Sequence, residues 1–548
     1  MKKTKVIVIG GGFGGAFAAK ELAKRGGKHL DIELISDRNY FVFQPLLPEV
    51  AAGTINAQDA VTPLRLLLPG IKIRLADVKT IDTNKQTVTI LQGRKRILQD
   101  LDYDHLIVAS GQVTDLSLFP GFSQHSLKMK DLADAYKLRN HIIQCMELAD
   151  VTRFDEIKRM ALTFVVAGGG FSGVETLGEV LEMVQRVRKF YPNIKEEDIK
   201  AIIIQRGDSL LQEMPKKLGR YATEQLKKRG AEVMLNTGIE SATATTVRTD
   251  KGDVIPAMTI VTTIGNGPSE FVKMLPFDLM RGKIRTNEYL QVDGHHNIWA
   301  LGDTAAIPLP PEKADTEIES QHYAPPTAQF AVQEAKQLAI NLIAASKGTT
   351  LSPFAYTPKG MMASLGAYKG VVQMGRFRIT GLIAWLLWRG LYIGMLPHFS
   401  TRLRVALNWL FDYFMPRTIV QMAHAETSAL KQSHYCEGEV VYERGELIPG
   451  FFIVLSGKFK LSITTQNGQV VETILNEGDH GGDQVIKASH LTLGKLENIE
   501  KGELMFIGRD DFTRLNQAIP VINEHLSKNA NQHIKDLLQS DEGNSGTR

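Results

Sequence analysis

Hydrophobic and polar positions follow three rhythms along the chain. From Lys5 to Ile9 a nearly unbroken apolar run reads as a short parallel strand buried on both faces; Phe13 to Arg25 reads as an alanine-rich helix and Asp31 to Ser36 as a second strand. The same order returns at Leu162–Val166, about Val174–Arg188 and Ala201–Ile204. Further on, Ile379 to Leu396 is strongly apolar, broken by Arg389 and ended by Pro397. The helix after it carries Arg404, Asn408 and Asp412 at every fourth position, a narrow polar stripe on an otherwise apolar surface. After about residue 430 the rhythm shortens to alternating segments at Glu439–Tyr442, Phe451–Ser456, Lys458–Thr464, Gln469–Leu475 and Glu503–Ile507, punctuated by glycines as in an all-β roll. The tail after about Leu537 is polar and reads as disordered.

The two strand–helix units share a glycine pattern. Gly10, Gly12 and Gly15 follow the first strand in G-x-G-x-x-G spacing, and Gly168, Gly170 and Gly173 follow the second. The first glycine permits a tight turn, the second lets a pyrophosphate approach the backbone, and the third lets helix pack on strand. The helix N-terminus then offers free N–H groups to phosphate. Asp37 ends the second strand of the first unit, where a carboxylate takes ribose hydroxyls. The second unit ends in Gln205-Arg206 instead. Glutamine removes the charge that repels a 2′-phosphate and Arg206 can pair with one, so NADPH is expected to be tolerated or preferred beside NADH. Two intact units mean two dinucleotides, or a duplicated fold with one site lost.

Composition adds exclusions. The 548 residues suffice for several domains, and a net charge of +4 gives no reason to expect a nucleic-acid partner. The two cysteines, Cys145 and Cys436, form neither a disulfide scaffold nor a metal-spaced set. Met1-Lys2-Lys3-Thr4 runs straight into a strand, which reads as no signal peptide and a catalytic body on the cytoplasmic side. Residues 351–425 hold eight Lys/Arg, one acid and three of the four tryptophans. A span needs about 20 apolar residues, and a central arginine costs about 2.5–3.5 kcal/mol. Spanning is therefore disfavoured, and the segment is expected to lie in the bilayer interface with basic residues on anionic head groups. The alternative is a hairpin buried in a homodimer.

Several motifs beyond the glycines resemble the type II NADH:quinone oxidoreductases over roughly residues 4–425. They are Asp37-Arg38-Asn39 with Phe43-Gln44-Pro45-Leu46-Leu47, the strand ending in Ala109-Ser110-Gly111, Ile298 to Asp303, Ala328-Gln329 with Gln333, Lys359-Gly360, and Glu175. The resemblance implies FAD in the first unit, with Asp303 of Gly302-Asp303 on the ribityl chain. It implies NADH or NADPH in the second, with Glu175 at the nicotinamide side. Ala328, Gln329 and Gln333 would lie between the flavin ring and a membrane quinone, and Lys359 beside the flavin. Glu175, Gln329, Gln333 and Lys359 are thereby candidates to orient the rings, stabilise charge or relay protons. Related proteins of this fold that act on sulfide or disulfides need paired thiols, which this chain lacks.

The expected fold class is α/β with two Rossmann-like domains, a docking segment and a β-roll. The FAD-binding domain is expected at 1–115 and 265–345, the NAD(P)H-binding domain at 116–264, the docking part at 346–425, the roll at 430–530 and the tail at 531–548. The resemblance implies a non-proton-pumping respiratory dehydrogenase, peripheral on the cytoplasmic face of the inner membrane. The alternative is a redox- or ligand-sensing flavoprotein signalling through the roll. Glu437 to Gly445 and Phe452 to Lys458 resemble the cyclic-nucleotide-binding family. There the family's glutamate is shortened to Asp483, Lys487 is a weak substitute cation, and no arginine occurs from Gly445 to Gly508. Tight cyclic-nucleotide binding is therefore not expected; a docking or dimerisation role is.

Overall fold

A computed structural model of the chain describes residues 3–93, 97–310, 323–421, 430–446, 450–464, 470–482, 492, 494–508 and 511–512. β1 (Thr4–Ile9) turns into α1 (Phe13–Gly26), and β2 (Leu30–Ser36) returns parallel to β1, Val6 opposite Ile32. After α2 (Leu47–Ala51) come β3 (Lys72–Asp82), β4 (Thr87–Gln92), β5 (Ile97–Asp102) and β6 (His105–Val108). Val6 to Ile9 are buried on both faces, as a central strand of a covered parallel sheet requires. The small Ala16, Ala18 and Ala19 bring α1 down onto that sheet.

The second unit starts with β7 (Leu127–Lys128) and α3 (Leu132–Val151), whose N-terminus Asp131 and Asp134 close in a capping box. β8 (Thr163–Ala167), α4 (Phe171–Val187), β9 (Lys200–Ile204), β10 (Ala231–Met234) and β11 (Thr259–Thr262) complete a parallel sheet of order β7-β11-β8-β9-β10. The chain then goes back: β12 (Ile298–Ala300) pairs with β6, making the first sheet β12-β6-β1-β2-β3-β4-β5. α5 (Ala328–Ser346) follows, capped by the Thr327 side chain, and packs beside α1.

A three-stranded meander, β13 (Met361–Gly366), β14 (Lys369–Met374) and β15 (Phe377–Gly381), leads to α6 (Leu382–Met395) and α7 (Phe399–Phe414). Among the described residues no helix is long and apolar enough to cross a membrane. The α7 stripe corrects the sequence reading. Asn408 and Asp412 face the protein body, and Arg404, its side chain still 53% exposed, is tied to that body by an acid. Arg404 pairs with Asp59 at 2.8 Å, Asn408 donates to Asp59 at 2.6 Å, and Asp412 accepts from Arg186 at 2.6 Å. Arg389 and Arg417 are likewise turned inward. Trp409, expected on the interface, is buried.

The roll has β16 (Leu430–Tyr435), β17 (Gly450–Thr464), β18 (Val470–Leu475) and β19 (Gly494–Gly508), ordered β16-β19-β17-β18. The two strands expected at Phe451–Ser456 and Lys458–Thr464 are one, kinked by register shifts around Ser456. Gly457 has φ +78°, and a Cβ there would lie 2.6 Å from the Gly502 Cα, so the bend requires glycine. Likewise the segment expected at Glu503–Ile507 is the end of the longer β19. Tyr442, Phe452, Phe459 and Leu504 form a separate core. Asp483, Lys487 and the tail fall outside the described residues. The roll touches the second unit where the His434 N–H donates to His125 Nε2 at 3.0 Å.

Candidate active site

A cleft of about 540 Å³ runs across the C-terminal ends of β1, β2, β6 and β12. It is lined by Gly10, Gly12, Asp37, Arg38, Gln44, Ala109, Ser110, Gly111, Gly302, Asp303 and Ala328. Gly15 stands behind it. Its Cβ would meet the Gly10 carbonyl oxygen at 2.0 Å, and one on Gly10, with φ +109°, would meet the Ala109 carbonyl oxygen at 2.2 Å. A Cβ on Gly12 would meet nothing, which leaves the approach to the α1 N-terminus open. No side chain caps that terminus, so its N–H groups are available to a phosphate.

Around this turn each predicted side chain has a defined setting. Arg38 pairs with Asp131 at 3.0 Å and Asp37 at 3.4 Å, and Gln44 donates to the Lys130 carbonyl at 3.2 Å. Both tie the far wall of the cleft to the α3 cap. Ser110 Oγ lies 3.0 Å from Thr304 Oγ1, which donates to the Gly111 carbonyl at 2.7 Å, locking two strand ends together. The Gly302 N–H donates to Glu334 Oε2 at 2.7 Å. Burial pushes that carboxyl up to about 7 against this bond. An acid at one end, an uncapped helix in the middle and Gly302-Asp303 with the start of α5 at the other end fit an extended FAD.

The second turn repeats the geometry. Gly168 has φ +108°, a Cβ on Gly173 would lie 1.8 Å from the Gly168 carbonyl oxygen, and Gly170 starts α4 with no side-chain cap. Gln205 accepts from the Gly169 N–H at 2.9 Å and donates to Gln212 at 3.0 Å, so it holds the turn itself. Arg206 is exposed. Its Nε lies, with Asp250, beside Gly238.

Glu175, on the first turns of α4, is buried and accepts from the Ser364 N–H at 3.1 Å and Trp388 Nε1 at 3.0 Å. Burial pushes its carboxyl up to about 8. Glu179, one turn on, accepts from Thr54 Oγ1 at 3.1 Å, and burial raises it too. Glu49 of α2 accepts from Trp409 Nε1 at 2.8 Å, faces Arg389 at 3.6 Å and is pushed by burial up to about 8. Gln329 and Gln333 continue α5 from the end of the FAD cleft, and Gln333 accepts from Lys336 at 3.4 Å. Lys359 is exposed in the irregular stretch before β13; neither it nor Glu175 lines the cleft.

Glu334, Glu49, Glu179 and Trp388 escaped the sequence reading. For Glu334 a signal existed, since it interrupts the apolar stripe Phe330, Ala331, Ala335 and Leu338.

Residues 4–335 match the pyridine nucleotide-disulphide oxidoreductase family, and residues 432–518 the cyclic nucleotide-binding domain. A type II NADH:quinone oxidoreductase of Mycobacterium tuberculosis is 31% identical over 437 residues, covering 76% of this chain and 89% of that protein. The chain belongs to the type II NADH:quinone oxidoreductases. A demethylphylloquinone reductase of Synechocystis is also 31% identical over 420 residues, covering 74% of this chain and 96% of its own. The solved structure of NDH2 from Plasmodium falciparum in complex with NADH shares the fold, with a TM-score of 0.69 at 21% identity, covering 76% of this chain and all of that one. For this family member the disulphide half of the broader family's description has no counterpart: Cys145 is buried in α3, and Cys436 lies beyond β16 in the roll.

Proposed function

We propose that the chain oxidises NADH or NADPH through FAD and passes two electrons to a membrane quinone without pumping protons. The observation that carries this is the pair of open glycine turns, each with an uncapped helix, in a chain of this family. The relatives named above are reductases, so the sensing alternative is not favoured. When bound, FAD supplies the two-electron chemistry. The chain's own groups bind and orient. Asp37 takes the ribose hydroxyls, the α1 N-terminus the pyrophosphate and Asp303 the ribityl chain. The α4 N-terminus takes the second pyrophosphate. Glu175, protonated near neutrality, sits on the nicotinamide side as a neutral donor. Gln329 and Gln333 serve the quinone side, and Lys359 stands beside the flavin.

Docking is assigned to the outer faces of α6 and α7. Leu382, Ile383, Leu386, Phe399, Leu403 and Phe414 are exposed there, large apolar side chains gathered on one face as at an interaction surface. Exposed Arg376 and Arg378 stand beside it to meet anionic head groups. The protein is thus read as peripheral on the cytoplasmic face of the inner membrane. The roll is read as a docking or dimerisation module.

The test is anaerobic reduction with NADH and then NADPH, followed by a soluble quinone. Flavin bleaching by both nucleotides and its recovery on quinone are expected; a protein that takes up no FAD, or a reduced flavin that quinone cannot reoxidise, overturns the reading. With Gln205 in place of an acid, kcat/KM for NADH should exceed that for NADPH by less than about tenfold.

A further inference from the structure

A separate cleft of about 220 Å³ opens between the loop after α2, the middle of α3 and the C-terminal end of α7. Its polar wall carries Arg139 and Tyr136 from α3. Arg139 donates to the Thr418 carbonyl at 2.7 Å, and its guanidinium lies over Gly53, where a Cβ would sit 1.9 Å from Nη1. Gly53, at φ +75°, gives the guanidinium its place. Among the described residues no carboxylate pairs with Arg139. Its neighbour Arg417 is fully engaged, with Asp412 at 2.9 Å, Glu182 at 3.5 Å and Glu179 at 3.9 Å. Asp412 also faces the cleft, but its carboxylate is held by Arg186 at 2.6 Å and by Arg417. Burial, and after it the like charge of Arg417, push Arg139 down from its ordinary value. A half-buried guanidinium whose described partners are the Thr418 carbonyl and hydroxyl keeps further N–H donors for an anion.

The rim of the same cleft is apolar. Phe411, Met415 and Val420 are exposed on it and continue the outer face of α7. An anion that also carries an apolar chain satisfies both walls at once. We propose that this cleft binds the phosphate of an anionic membrane phospholipid on the Arg139 guanidinium, with the acyl chains lying along Phe411, Met415 and Val420. The proposal rests on reading α6 and α7 as the membrane face.

The test uses the full chain with FAD bound. Flotation is measured with vesicles of phosphatidylcholine alone and of equal parts phosphatidylcholine and phosphatidylglycerol. Calorimetry is run with inorganic phosphate and with a soluble short-chain phosphatidylglycerol. Arg139→Gln should weaken binding to the anionic vesicles at least about tenfold, while Arg376→Gln, an exposed cation on the same face, should change it no more than about fivefold. Arg139→Lys should recover part of the loss, because it keeps the charge without the fork. Gly53→Ala pushes the guanidinium aside without removing charge and should act in the same direction as Arg139→Gln. Equal effects of Arg139→Gln and Arg376→Gln would overturn the site, since a diffuse field explains them. Arg139-dependent binding of inorganic phosphate as tight as that of the short-chain lipid would also overturn it, in favour of a free anion. If the wild type floats with neither vesicle, the docking reading fails; the short-chain lipid then decides the cleft alone, Arg139-dependent binding supporting it and no binding ending it.

Discussion

Glu175 carries a buried carboxyl with two neutral donors on it and, among the described residues, no cation in hydrogen-bond contact. Its folded value, about 8, stands above the ordinary 4.5, so the folded state holds the proton more tightly than the unfolded one. Its contribution to stability is complete below about 4.5 and is lost as pH rises through about 8. Thermal scans from pH 5 to 9 should show a decline in Tm that Glu175→Gln flattens, and Glu175→Gln should remove a titration near 8 from the kcat/KM profile. Glu334 acts at the other cradle, where its bond to the Gly302 N–H fixes the backbone beside Asp303. Removing a hydrogen bond to a charged group costs about 1.5–3 kcal/mol. Glu334→Ala should therefore weaken FAD binding by one to two orders of magnitude, measured by flavin release on dilution. The contrast between these acids and the glycines explains what the sequence could disclose. Gly10, Gly12 and Gly15 shape their turn through fixed local spacing, which the sequence shows directly. Glu49 and Glu179 matter because of Trp409, Arg389, Thr54 and Arg417, which arrive from distant segments.

Among the elements, α7 is inverted relative to an ordinary surface helix. Its polar stripe bonds Asp59 and Arg186 inside, while Phe399 at 76% and Phe411 at 53% exposure face out. The 3.6-residue period revealed both faces but not which would turn inward; Asp59 and Arg186 decide that, and neither lies near α7 in sequence. Arg389 is likewise placed by distant groups, Glu49 at 3.6 Å and the Trp409 ring centre at 4.4 Å, with Trp385 one turn back on its own helix at 3.9 Å. Leu407→Ser with Phe411→Ser should abolish liposome flotation and leave Tm nearly unchanged. Trp409→Ser should instead destabilise the protein by about 3–5 kcal/mol in denaturant titration, since the ring is buried and its N–H serves Glu49. The long strands of the roll show a similar limit. Gly457 reads as a break in sequence, yet it serves as a bend within β17.

At the scale of the whole molecule, the roll and the second nucleotide unit meet through a histidine pair. Burial pushes His125 down to about 4, with His434 adding to the effect and Glu503 opposing it. Burial and then Lys501 lower His434, which lies 3.6 Å from Glu503. Both rings are neutral at pH 7. The docked arrangement is fully stable above about 6.5 and loses stability as pH falls toward about 4. Hydrogen exchange of the β16 amides should accelerate across that window, and His125→Gln should remove the change. The two strand–helix units and the β-roll were legible from repeated motifs, but this contact was not, because nothing in the local pattern of His434 announces a partner 309 positions away.

Arg417, its side chain only 2% exposed, bonds Asp412 of α7, reaches Glu179 and Glu182 of α4, and donates to the Ala52 carbonyl just after α2. One guanidinium thus ties α7, α4 and the turn after α2 together. If the outer faces of α6 and α7 rest on a bilayer as proposed, a tilt of α7 reaches α4 and the turn after α2 through this one side chain, and kcat should then vary with bilayer thickness.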